Sequence, residues 1–258
     1  MRVALCLSGQ ARSIDKCWPT FLKHIVNKTD CDIFMSFAND SSAGALFETK
    51  DLKYTELELI KDPSLEYLYS VARGDTTYIK HLGVMGKECT NLAILRQLYF
   101  VNRCNNLKIG YEKKNGFVYD WVIRSRADVL LGSDILDLSK LSNENIYTPD
   151  TNTHKGLNDF FAYGSSKNMD IYSNRINEIK EIDSPPFPFW NPHVELAYIL
   201  HVKNNIKVAL LPMDIRRERD WRGKYDSKIY EYYGKYSEGL VERKKEKIGR
   251  EEKNNERV

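Results

Sequence analysis

Residues 2–12, RVALCLSGQAR, decide the fold of this chain. The apolar run over residues 2–8 is typical of a central strand in a parallel sheet that is buried on both faces. The run ends at Gly9, and apolar residues then recur at helical spacing over 11–28, with Pro19 as an interruption. This order predicts the first strand and the first helix of an α/β domain.

The segments on the carboxyl side of this stretch continue the alternation of strands and helices. CDIFMSFA at 31–38 predicts a second strand, which completes a βαβ unit with a right-handed crossover. We expect short helices at 57–60 and 65–71, and a long helix from an N-cap at Thr90 to about Lys114. Further strands are predicted at 119–131, 145–149, 159–165 and 206–213, and further helices at 169–179 and 193–202.

The fold predicted from this order is a Rossmann-type α/β domain with a mostly parallel central sheet flanked by helices. We assign residues 1–222 to this single domain. The segment 223–258 is rich in both basic and acidic residues, which predicts a charged helical or flexible tail.

Composition limits the functional classes. The net charge of +3 over 258 residues gives no reason to expect nucleic acid as a partner. No apolar run approaches the roughly 18 residues of a membrane span. The five cysteines are scattered without a CxxC pair, which indicates thiols of a reducing compartment. We therefore expect a soluble, cytoplasmic protein.

Polar residues follow four of the predicted strands, and ligands of open α/β sheets bind at the carboxyl ends of strands. The four sets are Ser8 to Arg12, Arg124 to Asp128, Asn158-Asp159 with Gly164, and Asp214 to Arg217. In the first set, Gly9 allows close approach of a ligand, and Ser8, Gln10 and Arg12 are candidate ligand contacts. The alternative for Arg12 is an ordinary surface arginine at a helix start.

The second set poses a question, because a buried strand runs directly into two arginines and an aspartate. Alternation along a strand puts Arg124, Arg126 and Asp128 on one face. Guanidinium groups bind diphosphates, and a carboxylate can coordinate a divalent cation that bridges phosphate oxygens. The alternative is an internal ion pair that only fixes a loop.

Several segments in this order resemble one enzyme family. These segments are RVALCLSGQAR, RQLY (96–99), YE (111–112), YDWVIRSRADVLL (119–131), GLNDFFAYGS (156–165) and NPHVELAYIL (191–200). Together they resemble the GT-A-type glycosyltransferases of large DNA viruses and bacteria, including soluble chlorovirus enzymes that build capsid glycans, among them a xylosyltransferase. The resemblance covers roughly residues 2 to 219. If the protein is viral, the resemblance implies that it acts in the cytoplasm of the host.

The resemblance implies a nucleotide-binding half and an Asp-x-Asp motif at a strand end, which falls on Arg126-Ala127-Asp128. An arginine stands here in place of the first acid. Asp128 then holds Mn²⁺ or Mg²⁺, or Arg126 supplies the positive charge directly and the enzyme is metal-independent. The implied partners are a nucleotide-sugar donor, UDP-linked such as UDP-xylose, and a glycan or glycoprotein acceptor.

Two acids are candidates for catalysis in such an enzyme. An inverting transferase needs one carboxylate to take the proton of the acceptor hydroxyl. Glu195 is the first candidate, in the first turn of a helix capped by Asn191, although it could also only stabilise the helix dipole. Asp159 is the second, although it could also only cap a turn.

The remaining candidates surround these acids. Phe189 and Trp190 are candidates for stacking against a sugar ring, and His193 is either a metal ligand or a partly buried side chain. Arg216, Arg217 and Arg219 could neutralise the leaving diphosphate or form a solvated face.

A second hypothesis is a non-catalytic carbohydrate- or nucleotide-binding module, which needs the polar strand ends but not the two acids. A P-loop kinase or sulfotransferase is disfavoured, because the first strand ends in SGQARS without a GxxxxGK[ST] sequence.

Overall fold

The computed structural model describes residues 1–71, 88–179 and 192–218. Nine strands are found in this part of the chain: β1 (Val3–Gly9), β2 (Cys31–Ala38), β3 (Glu56–Ile60), β4 (Trp121–Arg126), β5 (Val129–Leu131), β6 (Asn145–Pro149), β7 (Phe161–Gly164), β8 (Lys207–Leu211) and β9 (Ile215–Arg217). The helices are α1 (Ile14–Phe21), α2 (Gly44–Glu48), α3 (Leu65–Val71), α4 (Glu88–Asn115), α5 (Ser166–Ser173) and α6 (Pro192–Ala197).

Seven strands form one mixed sheet in the order β3-β2-β1-β4-β7-β6-β8. All neighbouring pairs are parallel except those that involve β7, which runs antiparallel to both β4 and β6. The two remaining strands, β5 and β9, form a small antiparallel sheet of their own. This architecture confirms the predicted mostly parallel, Rossmann-like α/β fold.

The central strand β1 is buried on both faces because its side chains enter two different cores. Leu5 and Leu7 pack in one core with Trp18 and Phe21 of α1. The alternate side chains of Ala4 and Cys6 pack in the other core, which contains Cys104 of α4. Burial on both faces of the sheet therefore explains the unbroken apolar run in the sequence, as predicted.

Helix α1 starts later and ends differently than its sequence indicates. It begins at Ile14, so Arg12 precedes the helix instead of occupying its first turn. Pro19 lies inside the helix and lacks an amide hydrogen, and the chain continues as a π-helical turn over Leu22–Val26. Arg12 therefore lies in the loop between β1 and α1.

The helix predicted at 57–60 is wrong, because these residues belong to the edge strand β3. Glu56, Leu57, Glu58 and Leu59 alternate between polar and apolar, which is the period of a strand. Strand β3 pairs in parallel with β2 and places Glu58 opposite Ser36. The segment therefore has the period of a strand and not that of a helix.

The other predicted elements are found near the predicted residues, but the helix predicted over 169–179 ends at Ser173 and the one over 193–202 continues after Ala197 as a π-helical turn. Strand β2 has the predicted bounds, and α4 ends at Asn115 before Gly116, whose φ of +69° suits glycine. Helix α4 begins at Glu88, so Thr90 lies within it and is not its N-cap. The predicted strand over 119–131 is divided at Ala127-Asp128, where the chain leaves the large sheet for the small one.

Candidate active site at the switch point of the sheet

The topology brings the carboxyl ends of β1 and β4 side by side. From β1 the chain builds β2 and β3 on one side of the sheet and then crosses to β4 on the other side. Ser8 of β1 is in register with Arg126 of β4 and with Ser36 of β2. Open α/β sheets bind ligands at such a switch point, which makes this edge the candidate site.

The loop after β1 leaves room for a ligand. Gly9 has a φ of +117°, and a Cβ atom added there would meet no atom of the described residues within 4 Å. Ser8 is buried, and its hydroxyl has no hydrogen-bond partner among the residues that the structure describes. A side chain at residue 9 would be strained by this backbone conformation and would enter the open space, so glycine is needed here.

Gln10 and Arg12 are exposed beside this loop, and both interact with Asp40 after β2. Gln10 donates its Nε2 hydrogen to Asp40 Oδ2 at 2.9 Å. Burial alone would raise the pKa of Asp40, but hydrogen bonds from Ser42 and Gln10 and the charge of Arg12 hold it below its usual value. The loops after β1 and β2 are therefore joined by an ionised carboxylate.

Arg126 and Asp128 form a bidentate ion pair at the end of β4. Arg126 donates from Nε to Asp128 Oδ1 and from Nη2 to Asp128 Oδ2, both at 2.7 Å. Asp128 is only 3% exposed, and the Arg126 guanidinium lies over the Phe160 ring at 5.5 Å. Both carboxylate oxygens therefore face a guanidinium, which is the geometry that suits this pair.

This arrangement bears on the expected metal ion. Both oxygens of Asp128 accept from Arg126, and no three His, Cys, Asp or Glu side chains within the described ranges are grouped so that they could share a metal. As arranged, Asp128 fits a guanidinium partner and does not fit Mn²⁺ or Mg²⁺.

Gln97 of α4 connects Arg126 to Asp159, and sequence reasoning gave it no role. Its Oε1 accepts from Arg126 Nη1 at 2.5 Å, and its Nε2 donates to Asp159 Oδ2 at 2.9 Å. The only signal in the sequence was its place in the RQLY segment. Contacts made from a helix 29 and 62 residues away are not visible in the pattern of the strands.

Arg124 is buried within β4, two residues before Arg126 at the end of the strand. It is 1% exposed, and its Nη1 donates to the backbone carbonyl oxygen of Asp159. Burial lowers the pKa of Arg124, while nearby Tyr172 and Asp159 act in the opposite direction. Arg124 and Arg126 do share a face of β4, but the described contact of Arg124 holds the loop that carries Asp159.

Asp159 is buried and stays ionised. Burial alone would raise its pKa, but the charges of His193, Arg175 and Arg124 hold the pKa below its usual value. Its Oδ1 lies 3.7 Å from His193 Nδ1. Because the carbonyl oxygen of Leu157 can only accept, His193 Nδ1 carries the hydrogen that it shares with that oxygen at 2.8 Å. This hydrogen bond fixes the orientation of the imidazole ring.

The loop before Asp159 is packed tightly against the start of α6. The Asn158 side chain accepts from the amide of Phe160 at 2.8 Å and donates to the carbonyl oxygen of Thr151 at 2.7 Å. A Cβ atom on Gly156 would lie 2.1 Å from the backbone carbonyl of His193. Only glycine lets the loop approach α6 this closely.

Glu195 is buried in α6 with an unusual proton affinity. It is 3% exposed, and neither carboxyl oxygen has a hydrogen-bond partner among the described residues. Burial raises its pKa to about 7, Arg175 lowers it in part, and the charge of Asp159 raises it. Glu195 therefore exchanges its proton near neutral pH, while its neighbour Asp159 remains a carboxylate.

Arg175 is a second residue that sequence reasoning missed. It follows α5 in a single 3₁₀ turn and is fully buried, with its guanidinium over the Tyr172 ring at 4.8 Å. Its charge acts on both Asp159 and Glu195. An arginine in a short polar segment, NRIN, carries no pattern that announces burial.

A polar row crosses the sheet from the candidate site to its edge. Ser36 donates to Glu58 Oε1, and Arg103 of α4 donates to Glu58 Oε2, both at 2.6 Å. Ser36 is the register partner of both Ser8 and Glu58. Glu58 was missed because its segment was interpreted as a helix.

The remaining candidates divide into two groups. Arg217 lies over Phe160 at 4.4 Å, whereas Arg216 is 75% exposed and 3.9 Å from Asp214. The predicted aromatic platform and cap, the third arginine and the charged tail lie outside the described residues; they are Phe189, Trp190, Asn191, Arg219 and 223–258. The candidate site therefore rests on residues from β1, β4, α4, α6 and the loop before β7.

Fold and site together define a Rossmann-like α/β protein with a charged cluster at the switch point of its sheet. Comparison with protein families places the chain more closely: the model of DUF7796, a domain of unknown function, matches residues 1–221. The chain belongs to this family. No curated protein matches it. In the part of the chain that the structure describes, no helix is long and apolar enough to cross a membrane.

Proposed function

We propose that this protein is a GT-A-type glycosyltransferase. It moves a sugar from a nucleoside-diphosphate sugar, UDP-linked such as UDP-xylose, to a hydroxyl group of a glycan or glycoprotein acceptor, with inversion at the anomeric carbon. The fold alone does not carry this proposal, because one fold serves many functions. The proposal depends on the side chains at the switch point.

The observation that carries the proposal is a pair of buried carboxyl groups with opposite pKa shifts. Glu195 has a pKa of about 7, which the charge of Asp159 helps to raise, and Asp159 has a pKa below its usual value. Neighbouring acids whose pKa values are driven apart identify an acid–base site. A base works best when its pKa lies near the working pH, which assigns the base role to Glu195.

The reaction then follows from the arrangement of charges. The acceptor hydroxyl oxygen attacks the anomeric carbon, its proton passes to Glu195, and the bond between that carbon and the diphosphate oxygen breaks. The diphosphate leaves with the bonding electron pair. Arg126 and Arg12 are the positive groups at the strand ends that would stabilise its charge. Gly9 provides the open space in which the diphosphate would lie.

The first experiment is a thermal-shift screen of nucleotide sugars, each with and without Mn²⁺. A ligand at 100 times its Kd stabilises the folded state by about 2.7 kcal/mol, which raises the Tm. We expect stabilisation by a UDP-sugar without Mn²⁺, because Arg126 holds the place of the metal. A shift that appears only with Mn²⁺ would instead mean that Asp128 leaves Arg126 to coordinate the ion.

The second experiment uses Asp128→Asn and Glu195→Gln. Both should lower the rate of sugar transfer by about 100-fold or more, since one weakens the hold on Arg126 and the other removes the base. Glu48→Gln, at an exposed acid at the end of α2, is the matched control and should retain full activity. If the wild type binds a nucleotide sugar but never transfers it, the protein is a binding module. If no nucleotide or nucleotide sugar binds, the glycosyltransferase proposal is wrong.

A further inference from the structure

We propose that Gln97 is a positioning residue that links donor binding at Arg126 to the acid pair around Asp159. This inference rests on the function proposed above, and it assigns a role to a residue of α4 that no strand-end motif contains. Its basis is the continuous chain of hydrogen bonds from Asp128 through Arg126 and Gln97 to Asp159.

The chemistry of the two neighbours fixes the orientation of the Gln97 amide. A guanidinium can only donate hydrogen bonds, so Arg126 requires the amide oxygen at 2.5 Å. A carboxylate can only accept, so Asp159 requires the amide nitrogen at 2.9 Å. An amide satisfies both neighbours at once, and no other side chain of this length does so without adding a charge.

The geometry restricts the movement of Arg126. Asp128 holds its Nε and Nη2, and Gln97 holds its Nη1, so all three nitrogens of the guanidinium are bonded within the cluster. A ligand that draws Arg126 toward its phosphates therefore pulls on Gln97, and through Gln97 on Asp159. Because Asp159 raises the pKa of Glu195, a change at the donor end reaches the base.

Two variants divide the link into its halves. Gln97→Glu keeps an acceptor for Arg126 but places a second negative charge against Asp159. Gln97→Lys keeps a donor for Asp159 but places a positive charge against Arg126. Asn106→Asp is the matched control, because it makes the same change from amide to acid at an exposed residue of the same helix.

The expected results differ in kind. Gln97→Lys should raise KM for the nucleotide sugar about tenfold or more, since a hydrogen bond to a charged group is lost. Gln97→Glu should leave KM within about threefold but move the acid limb of the pH profile of kcat to higher pH, because added negative charge raises the pKa of nearby acids. Asn106→Asp should change neither.

A readout without substrate separates this inference from the proposed function. The pKa of the Asp159 carboxyl, measured by ¹³C NMR, should rise in Gln97→Glu and remain low in Gln97→Lys. If these shifts occur while the wild type transfers no sugar, the link stands and the proposed function fails. If sugar transfer is observed but both variants lose kcat equally, with no change in KM, pH profile or the pKa of Asp159, Gln97 only supports folding and this inference is wrong.

Discussion

The side chains of the candidate site differ most in whether their charges are shared with a neighbour. Arg126 and Asp128 form two parallel hydrogen bonds with each other, so each charge is balanced by its partner. Glu195 is equally buried but accepts no hydrogen bond from a described residue, and its pKa is raised to about 7. Burial of a carboxyl group without a hydrogen-bonded partner favours the neutral form, which explains the raised pKa of Glu195.

At this scale, the charge of Arg175 is expected to set the proton affinity of Glu195. Arg175→Met removes a buried positive charge at similar volume, so the pKa of Glu195 should rise above about 7. The measurement is a ¹³C NMR titration of the Glu195 carboxyl, with Glu195→Gln identifying its resonance. Arg175→Lys keeps the charge and should leave the pKa near the wild-type value. A pKa that falls or does not move in Arg175→Met would contradict this assignment.

The elements position these side chains through close backbone contacts. Helix α4 lies over one face of β1 and β2 and supplies Gln97 to the candidate site and Arg103 to the polar row. Helix α6 contacts the loop before β7, where the amide of Leu157 donates to the carbonyl oxygen of His193 at 3.0 Å. This contact holds Glu195 and Asp159 in one cluster.

The contact between the loop and α6 predicts opposite effects for two glycines. Gly156→Ala should destabilise the protein by about 1–3 kcal/mol, because the added methyl group would lie 2.1 Å from the His193 carbonyl and force the loop away from α6. Gly110→Ala, at an exposed position in the C-terminal part of α4 with no atom of the described residues within 4 Å, should stabilise it by up to about 1 kcal/mol. Urea unfolding measures both. Equal effects at the two positions would mean that the loop does not depend on this contact.

At the scale of the whole molecule, the buried acids make stability depend on pH in two separate windows. The pKa of Glu195 is raised from 4.5 to about 7, so the folded state holds this proton more tightly than the unfolded chain. Its stabilisation is complete below pH 4.5 and is lost as the pH rises through about 7. The pKa of Asp159 is lowered, so its contribution is present above pH 3.8 and is lost as the pH falls further.

Glu195→Gln should therefore alter the pH dependence of folding in a defined direction. Between pH 4.5 and 7 the wild type should lose on the order of 3 kcal/mol in its free energy of unfolding, and the neutral glutamine should remove this slope. The variant should also be the more stable form above pH 7. Urea unfolding at pH 5, 6, 7 and 8 provides the curve, with Glu48→Gln as control. A wild type without this slope would mean that Glu195 is ionised and solvated in the folded state.

The sequence by itself determined the α/β fold and the edge of the sheet at which the polar residues collect. Both follow from local patterns, because an apolar run marks a buried strand and the first polar residue after it marks the strand end. For that reason the sequence predicts the positions of Ser8, Gly9, Arg126 and Asp128 at the ends of strands, and the structure has them there. The period of a short segment was harder to determine, and the strand that carries Glu58 was interpreted as a helix.

Only the tertiary structure decided how these residues act together. Gln97 contacts residues that are 29 and 62 positions away, and Arg175 acts from a turn after α5. Likewise, the pKa of Glu195 depends on burial by several elements at once. Hydrogen-bond geometry and desolvation depend on distances in space, and the spacing of residues along a chain does not contain those distances.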